Sequence, residues 1–259
     1  MSYVFLDTET SGLHSRVDRI IQLSYIITND DYEIIEAKNF YLNVDEYISR
    51  EATMVHGIDN EKLKELSGGK TFKDYAKEIL WDFQNSKVIC HNVEFDIGFL
   101  ENEFFRIDKS IKINETFCTM RNYTNICRIG FNDYYNSYKW PKLSEVVEYL
   151  NINSEELKTG ASNVFGCTGD FHDARMDVYT TYQIYKKIKD AALEDVRKTL
   201  LDRIKYLDNK YSSLTVADSM INSLNLLKDV LNEVEYFEGY IERRFEPSFE
   251  AIDEEDIPF

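Results

Sequence analysis

Residues 3 to 6, YVFL, are apolar at every position, the pattern of a central strand covered on both faces. The following TSG supplies turn chemistry, so this strand is expected to end near Asp7. Two more apolar runs, RIIQLSYIIT (19–28) and YEIIEAKNFYL (32–42), flank a polar NDD and read as an antiparallel hairpin continuing from the first strand. The period then changes. From Thr71, an N-cap residue, Phe72, Tyr75, Ala76, Ile79, Leu80 and Phe83 fall on the i, i+3, i+4, i+7 stripe of an amphipathic helix. KVIC (87–90) is a short buried strand, and EFDIGFLENEFF (94–105) is a helix opening after the His91-Asn92 turn, with Asp96 in its first turn. KLSEVVEYLNI (142–152) and DARMDVYTTYQIYKKI (173–188) supply two further helices. A meander of strands followed by strands alternating with helices predicts a mixed-sheet α/β domain over residues 1–190.

Beyond it, Leu193, Val196, Leu200, Ile204, Leu207 and Tyr211 make one helical stripe. Val216, Met220, Leu224, Leu227, Leu231, Val234 and Ile241 make a second, with YSSLT between them. This predicts a helical hairpin over 191–245, its apolar face turned either to the domain or to a partner. Residues 246–259 read as an acidic disordered tail.

Composition changes this picture in four ways. The 43% hydrophobic and 14% aromatic content, with only 10 Gly and 3 Pro, describes an ordered globular protein. Neither a secretory leader nor an apolar run long enough to span a membrane is apparent, so a cytoplasmic protein is expected. Cys90, Cys118, Cys127 and Cys167 form no C-x-x-C pair, which fits reduced thiols and not a disulfide framework or zinc knuckle. The net charge of −17 argues against a broad basic face of the kind that displaces counterions from phosphates. Six of the negative charges, Glu246, Glu250, Asp253, Glu254, Glu255 and Asp256, belong to a stretch without Lys or Arg after Arg244.

The candidate chemistry starts at FLDTET (5–10), where the apolar run stops at two carboxylates. Alternate side chains of a strand share a face, so Asp7 and Glu9, with Cα atoms roughly 6–7 Å apart, can grip one cation if strand geometry continues through Thr8. Ligand sites of α/β sheets lie beyond the carboxyl ends of strands, which is where Asp96 also falls; the alternative for Asp96 is a favourable charge at a helix N-terminus. HDARMD (172–177) is the third element. Five residues turn about 140° round a helix, so His172 and Asp177 converge only if the histidine belongs to the leading loop or first turn. Asp173, one turn before Asp177, is a rival ligand. Between Arg121 and Lys142, Phe131, Tyr134, Tyr135, Tyr138 and Trp140 interleave with Arg128 and Lys139, a composition that suits either core packing or stacking of unpaired bases.

FLDTETSGL, HNVEFDIGFL and HDARMD, in that order, resemble the three motifs of the DEDDh family of 3′-to-5′ exonucleases, especially its proofreading epsilon-type members. MVHGI (54–58), FCTM (117–120) and YKWPKL (138–143) resemble stretches between those motifs, and the likeness spans about residues 1–190. It implies a ribonuclease-H-like fold, a five-stranded mixed sheet flanked by helices. It further implies that Asp7, Glu9, Asp96 and Asp177 bind two Mg²⁺ or Mn²⁺ ions, with Asp7 bridging, and that His172 is the general base. Two divalent cations would make the crowded acids tolerable and would neutralise the scissile phosphate, so a strongly basic face is not required. By the family pattern Thr10 lies beside the terminal sugar, Leu13 wedges against the 3′ base, and His56 and Phe95 line the terminal pocket. The implied substrate is single-stranded DNA or a frayed 3′ end, cut to 5′-mononucleotides. The alternatives are a 3′-to-5′ exoribonuclease and a non-catalytic scaffold.

The ending DEEDIPF resembles the acidic tip of bacterial single-stranded-DNA-binding proteins. The resemblance implies that Ile257, Pro258 and Phe259 dock on a protein that reads such tails; an acidic tail that occupies the site as a DNA mimic is the competing reading.

Overall fold

The structure is a computed structural model, and it describes residues 2–132, 137–166 and 172–187. The chain divides into two compact units, Met1–Lys186 and Lys187–Phe259. The expected helical hairpin and acidic tail lie outside the described residues.

Five strands form one mixed sheet: β1 (Ser2–Thr10), β2 (Ile20–Thr28), β3 (Ile34–Tyr41), β4 (Ser86–Cys90) and β5 (Glu115–Cys118), in the spatial order β3-β2-β1-β4-β5. The first three make the expected antiparallel meander, and β4 and β5 join in parallel beside β1. β1 is central, and its continuous apolar run is explained by cover on both faces. Val4 and Leu6 pack on one side with Phe99, Leu100 and Phe104; Phe5 packs on the other with Val178, Tyr182 and Tyr185. The Phe5 ring meets Tyr182 and Tyr185 edge-on, with centroids 5.2 and 5.4 Å apart. β1 does not end near Asp7. It pairs with β2 as far as Thr10↔Ile20, with an irregularity between Glu9 and Thr10, because ladder pairing outlasts the hydrophobic run.

Helix α1 spans Arg50–His56, α2 Asn60–Ser67, α3 Phe72–Asp82, α4 Val93–Arg106 and α5 Thr119–Cys127. A two-stranded ribbon, β6 (Phe131–Asn132) with β7 (Ser137–Tyr138), precedes α6 (Leu143–Tyr149) and α7 (Ser154–Phe165). A last helix, α8, is helical over 174–187. α3 starts where the capping pattern places it, with Asp74 accepting from the Thr71 peptide N–H at 2.7 Å. α1, α2 and α7 carry few or no core side chains: α1 buries none, α2 only Leu63 and Ser67, and α7 only Leu157 and Ala161. Without an apolar stripe their periodicity is silent in the sequence. No helix among the described residues is long and apolar enough to cross a membrane.

Candidate active site

Alternation along β1 sorts the site residues. Asp7 and Glu9 share the face of Phe5 and therefore look toward α8, while Thr8 shares the face of Leu6 and looks toward α4. α8 contributes Asp177, one residue before the core residue Val178. Carboxylate oxygens of Asp7, Glu9 and Asp177 lie within 4.8 Å of one another. Glu9 and Asp177 are buried, and Asp7 is the partly exposed member.

Asp96 approaches from α4 and is 3% exposed. Thr8 Oγ1 donates to its Oδ1 at 2.8 Å, which draws the carboxylate to the α4 side of β1 and leaves it outside the tight group of three. It remains close enough for its charge to act on both Asp7 and Glu9.

Burial and mutual repulsion push all four acids toward the protonated form. Asp7 and Glu9 are held well above the usual carboxylate range, first by burial and then by the charge of Asp177. Asp96 is pushed up to about 8 by burial, against the opposing hydrogen bond from Thr8. Asp177 is pushed up to about 7, again by burial, against the hydrogen bond from the His172 peptide N–H. Asp177 Oδ2 accepts that bond at 3.2 Å, while its Oδ1 is buried with no partner. An orphaned buried carboxylate oxygen beside two further carboxylates is a donor set suited to a hard divalent cation: all ligands are oxygen, and the missing partner is positive charge.

His172 sits in the bend leading into α8, with φ +70° and an exposed side chain. That is the arrangement in which it can approach Asp177. Asp173, the rival ligand, is otherwise engaged: Arg175 donates to it from Nε at 2.9 Å, and Gln22 Nε2 donates at 3.1 Å. These donors hold its carboxyl below the ordinary range although burial opposes them.

Of the expected nucleotide-facing residues, Thr10 and His56 meet at the end of β1. His56 Nε2 lies 3.2 Å from the Thr10 carbonyl oxygen, and its Nδ1 accepts from the Ile58 peptide N–H at 3.1 Å. The ring therefore carries its proton on Nε2 and donates to Thr10, and burial favours this neutral form. Thr10 is buried and its hydroxyl donates to the Gly12 carbonyl at 2.6 Å, so that hydroxyl is committed to the turn. Leu13 stands 48% exposed on the loop between β1 and β2. Phe95 adjoins Asp96 and packs on Phe99 with ring centroids 4.8 Å apart. Ile257, Pro258 and Phe259 lie outside the described residues, as do Tyr134 and Tyr135 of the aromatic segment. In that segment Trp140 is partly buried against the core, as the packing alternative has it, whereas Phe131 is exposed and meets Tyr138 edge-on across the ribbon.

Two participants escaped the sequence reading. Thr8 looks like a spacer between two acids, yet it fixes Asp96; its signal was its place on the opposite strand face. Glu103, in α4, is 1% exposed and binds Arg19 through both oxygens, at 2.8 and 2.9 Å. Its signal, a carboxylate seven residues after Asp96 on one helix face, was present but ambiguous.

A mixed five-stranded sheet carrying a buried cluster of carboxylates at the end of its central strand defines a metal-site α/β domain. The chain belongs to the Exonuclease family, whose family model matches residues 4–185. It is 34% identical over 133 residues to the DNA polymerase III subunit epsilon of Buchnera aphidicola subsp. Schizaphis graminum, covering 48% of this chain and 54% of that one. The same subunit of Escherichia coli K12 is 29% identical over 145 residues, covering 52% and 56%. The match thus spans about half the length of these two relatives. A third epsilon subunit, from Buchnera aphidicola subsp. Acyrthosiphon pisum, is 27% identical over 249 residues, covering 92% of this chain and 93% of its own. Among solved structures, E. coli Exonuclease I in complex with a dT13 oligonucleotide superposes with a TM-score of 0.56 at 20% identity, covering 75% of this chain and 43% of that one. That likeness shows the shared fold.

Proposed function

We propose that this chain is a divalent-metal-dependent 3′-to-5′ exonuclease that acts on DNA, prefers single-stranded 3′ ends and releases 5′-mononucleotides. The observation that carries the reading is the convergence of Asp7, Glu9 and Asp177 within 4.8 Å, with Asp177 Oδ1 buried and unpartnered. Asp7 is grouped with Glu9 and Asp177 and also feels the charge of Asp96, so it would be the carboxylate shared by two ions. Glu9 and Asp177 would complete one ion and Asp96 the second. Two Mg²⁺ or Mn²⁺ ions, when bound, supply Lewis acidity toward the scissile phosphate and lower the pKa of a bound water. His172, exposed at the head of α8, would accept a proton at its ring nitrogen as the general base. Its own peptide N–H orients Asp177, so one residue positions a ligand through its backbone and offers its ring to the reaction.

Leu13, His56 and Phe95 would hold the terminal nucleotide, with Thr10 ordering the turn beneath it. His56 ties the end of α1 to Thr10, which keeps that wall in register with β1. The preference for DNA is supported by the epsilon-subunit relatives and by the oligonucleotide complex of the structural neighbour. The test is degradation of a 3′-labelled single strand, as DNA and as RNA, with Mg²⁺, with Mg²⁺ and excess chelator, and with Asp7→Ala. Release of labelled 5′-mononucleotide from the DNA strand, abolished by chelator and by the substitution, supports the proposal. Cleavage that survives both treatments overturns it, and faster cleavage of the RNA strand overturns the DNA preference.

A further inference from the structure

Glu103 lies seven residues after Asp96 on α4, so the two point from one helix face about 10 Å apart along the axis. Each fastens α4 to the β1–β2 hairpin, on either side of the connecting loop. Asp96 is tied to Thr8 near the end of β1. Glu103 is tied to the start of β2: its Oε1 accepts from Arg19 Nε at 2.8 Å and from the Ile20 peptide N–H at 3.2 Å, and its Oε2 accepts from Arg19 Nη2 at 2.9 Å. Arg106 Nη1 adds a contact at 3.3 Å.

A second stripe of α4 grips the loop itself. Gly98, Asn102 and Arg106, spaced i, i+4 and i+8, all face Ser15. A methyl placed on Gly98 would stand 3.7 Å from Ser15 Oγ, Asn102 Nδ2 donates to that oxygen at 3.2 Å, and Arg106 Nη2 donates to the Ser15 and Asp18 carbonyls at 2.9 Å each. The base of the loop is closed by the Ser11 N–H on the Arg19 carbonyl and the Arg19 N–H on Ser11 Oγ, both at 2.9 Å. Arg19 reaches on to Glu46 at 2.7 Å.

A buried ion pair is a poor source of net stability, since apolar residues of equal volume often do as well. What a forked guanidinium–carboxylate pair supplies is direction. Here it joins the Ser15 contacts in directing the loop that carries the exposed apolar residues Leu13 and Val17. We propose that Glu103 is a positioning residue: through Arg19 and Arg106 it staples the loop of residues 11–18 to α4 and so fixes Leu13 relative to the acidic centre. The consequence for catalysis rests on the exonuclease reading; the staple itself does not.

The test is Glu103→Gln, which keeps shape but removes the charge and turns an amide toward Arg19. By hydrogen exchange, the amides of His14, Val17 and Asp18 should exchange about tenfold faster or more, with those of Leu6 to Thr8 unchanged. Unaltered loop exchange in the folded variant overturns the staple, whether or not the protein cleaves DNA. On a short single-stranded DNA and on the p-nitrophenyl ester of thymidine 5′-phosphate, each of which presents a terminal base to Leu13, KM should rise about tenfold with kcat unchanged, and a fall in kcat at unaltered KM overturns the positioning role. Adding Leu13→Ala to E103Q should cost little further, whereas two effects that multiply overturn the proposal. Should E103Q not fold, Arg106→Lys, which keeps the charge but lacks the fork that reaches Glu103 and the two carbonyls together, is read by the same exchange and kinetic measurements. An inactive wild-type chain would defeat the exonuclease reading, and the exchange experiment would then decide the staple alone.

Discussion

Replacing Asp177 by Asn is expected to stabilise the metal-free protein, the reverse of the usual result for a buried, hydrogen-bonded residue. Asn keeps the shape and the oxygen that accepts the His172 peptide N–H but removes one of the crowded charges. Folding pushes Asp177 from 3.8 to about 7, so keeping it ionised costs the folded state roughly 4 kcal/mol above that pH, at about 1.4 kcal/mol for each tenfold change in proton affinity. Burying the Asn amide in place of the carboxyl costs part of this, which lowers the expected gain to about 2–4 kcal/mol, or about 5–10 °C in Tm for a domain of this size. The sign follows from linkage. The folded state binds the proton more tightly than the unfolded chain, so stability is intact at about pH 4, is lost as pH rises toward 7, and is level above. Thermal unfolding in chelator should therefore show D177N close to wild type at about pH 4.5 and well above it at about pH 8. With saturating Mn²⁺ the order should invert, because wild type gains binding energy that the variant forfeits. A destabilised D177N in chelator at about pH 8, or a gain that does not change with pH, would refute the electrostatic reasoning.

Other substitutions separate the roles of the remaining residues. Asp7→Ala should lower turnover on a 3′-labelled strand by about a thousandfold or more, equivalent to about 4 kcal/mol of lost transition-state stabilisation, and a smaller effect would remove Asp7 from the bridging position. His172→Asn, chosen because Asn tolerates the left-handed backbone at φ +70°, should cost about 100- to 10,000-fold at neutral pH while Mn²⁺ affinity, measured by calorimetry, holds; weakened metal binding would assign His172 to the ligand set. Gly12→Ala would place a methyl 2.5–2.6 Å from the Asp18 carboxylate and should cost about 1–3 kcal/mol by denaturant unfolding. Asp18→Ala in the same chain should recover part of that loss, and a double variant less stable than G12A would show that the clash lies elsewhere.

The elements legible in the sequence are those whose side chains enter the core. β1 announced itself because both of its faces are covered, and α3, α4 and α8 because each turns an apolar stripe toward the sheet. α1 was invisible for the opposite reason, since it buries nothing and is defined by its caps, Ser49 at one end and Gly57 at φ +71° at the other. β5 is too short and too exposed to betray a period. Within the site, local spacing predicted that Asp7 and Glu9 share a face, but no spacing rule could place Asp177 beside them. That meeting depends on Val178, Tyr182 and Tyr185 packing on Phe5, a contact between residues far apart in the chain. Asp173 and Asp177 were equivalent candidates by helical geometry alone; Arg175 and Gln22 decide between them by occupying the first. For Thr8 and Glu103 the spacing showed which face each side chain takes but not its partner, because a hydrogen bond or salt bridge between distant elements leaves no periodic trace.

The most direct measurement is anomalous diffraction from crystals soaked in Mn²⁺ with a nucleoside 5′-monophosphate. Two peaks about 3.5–4 Å apart, bridged by Asp7 and shared among Glu9, Asp96 and Asp177, are expected. A cluster without manganese, or metal bound with these carboxylates turned away from it, would contradict a two-ion exonuclease.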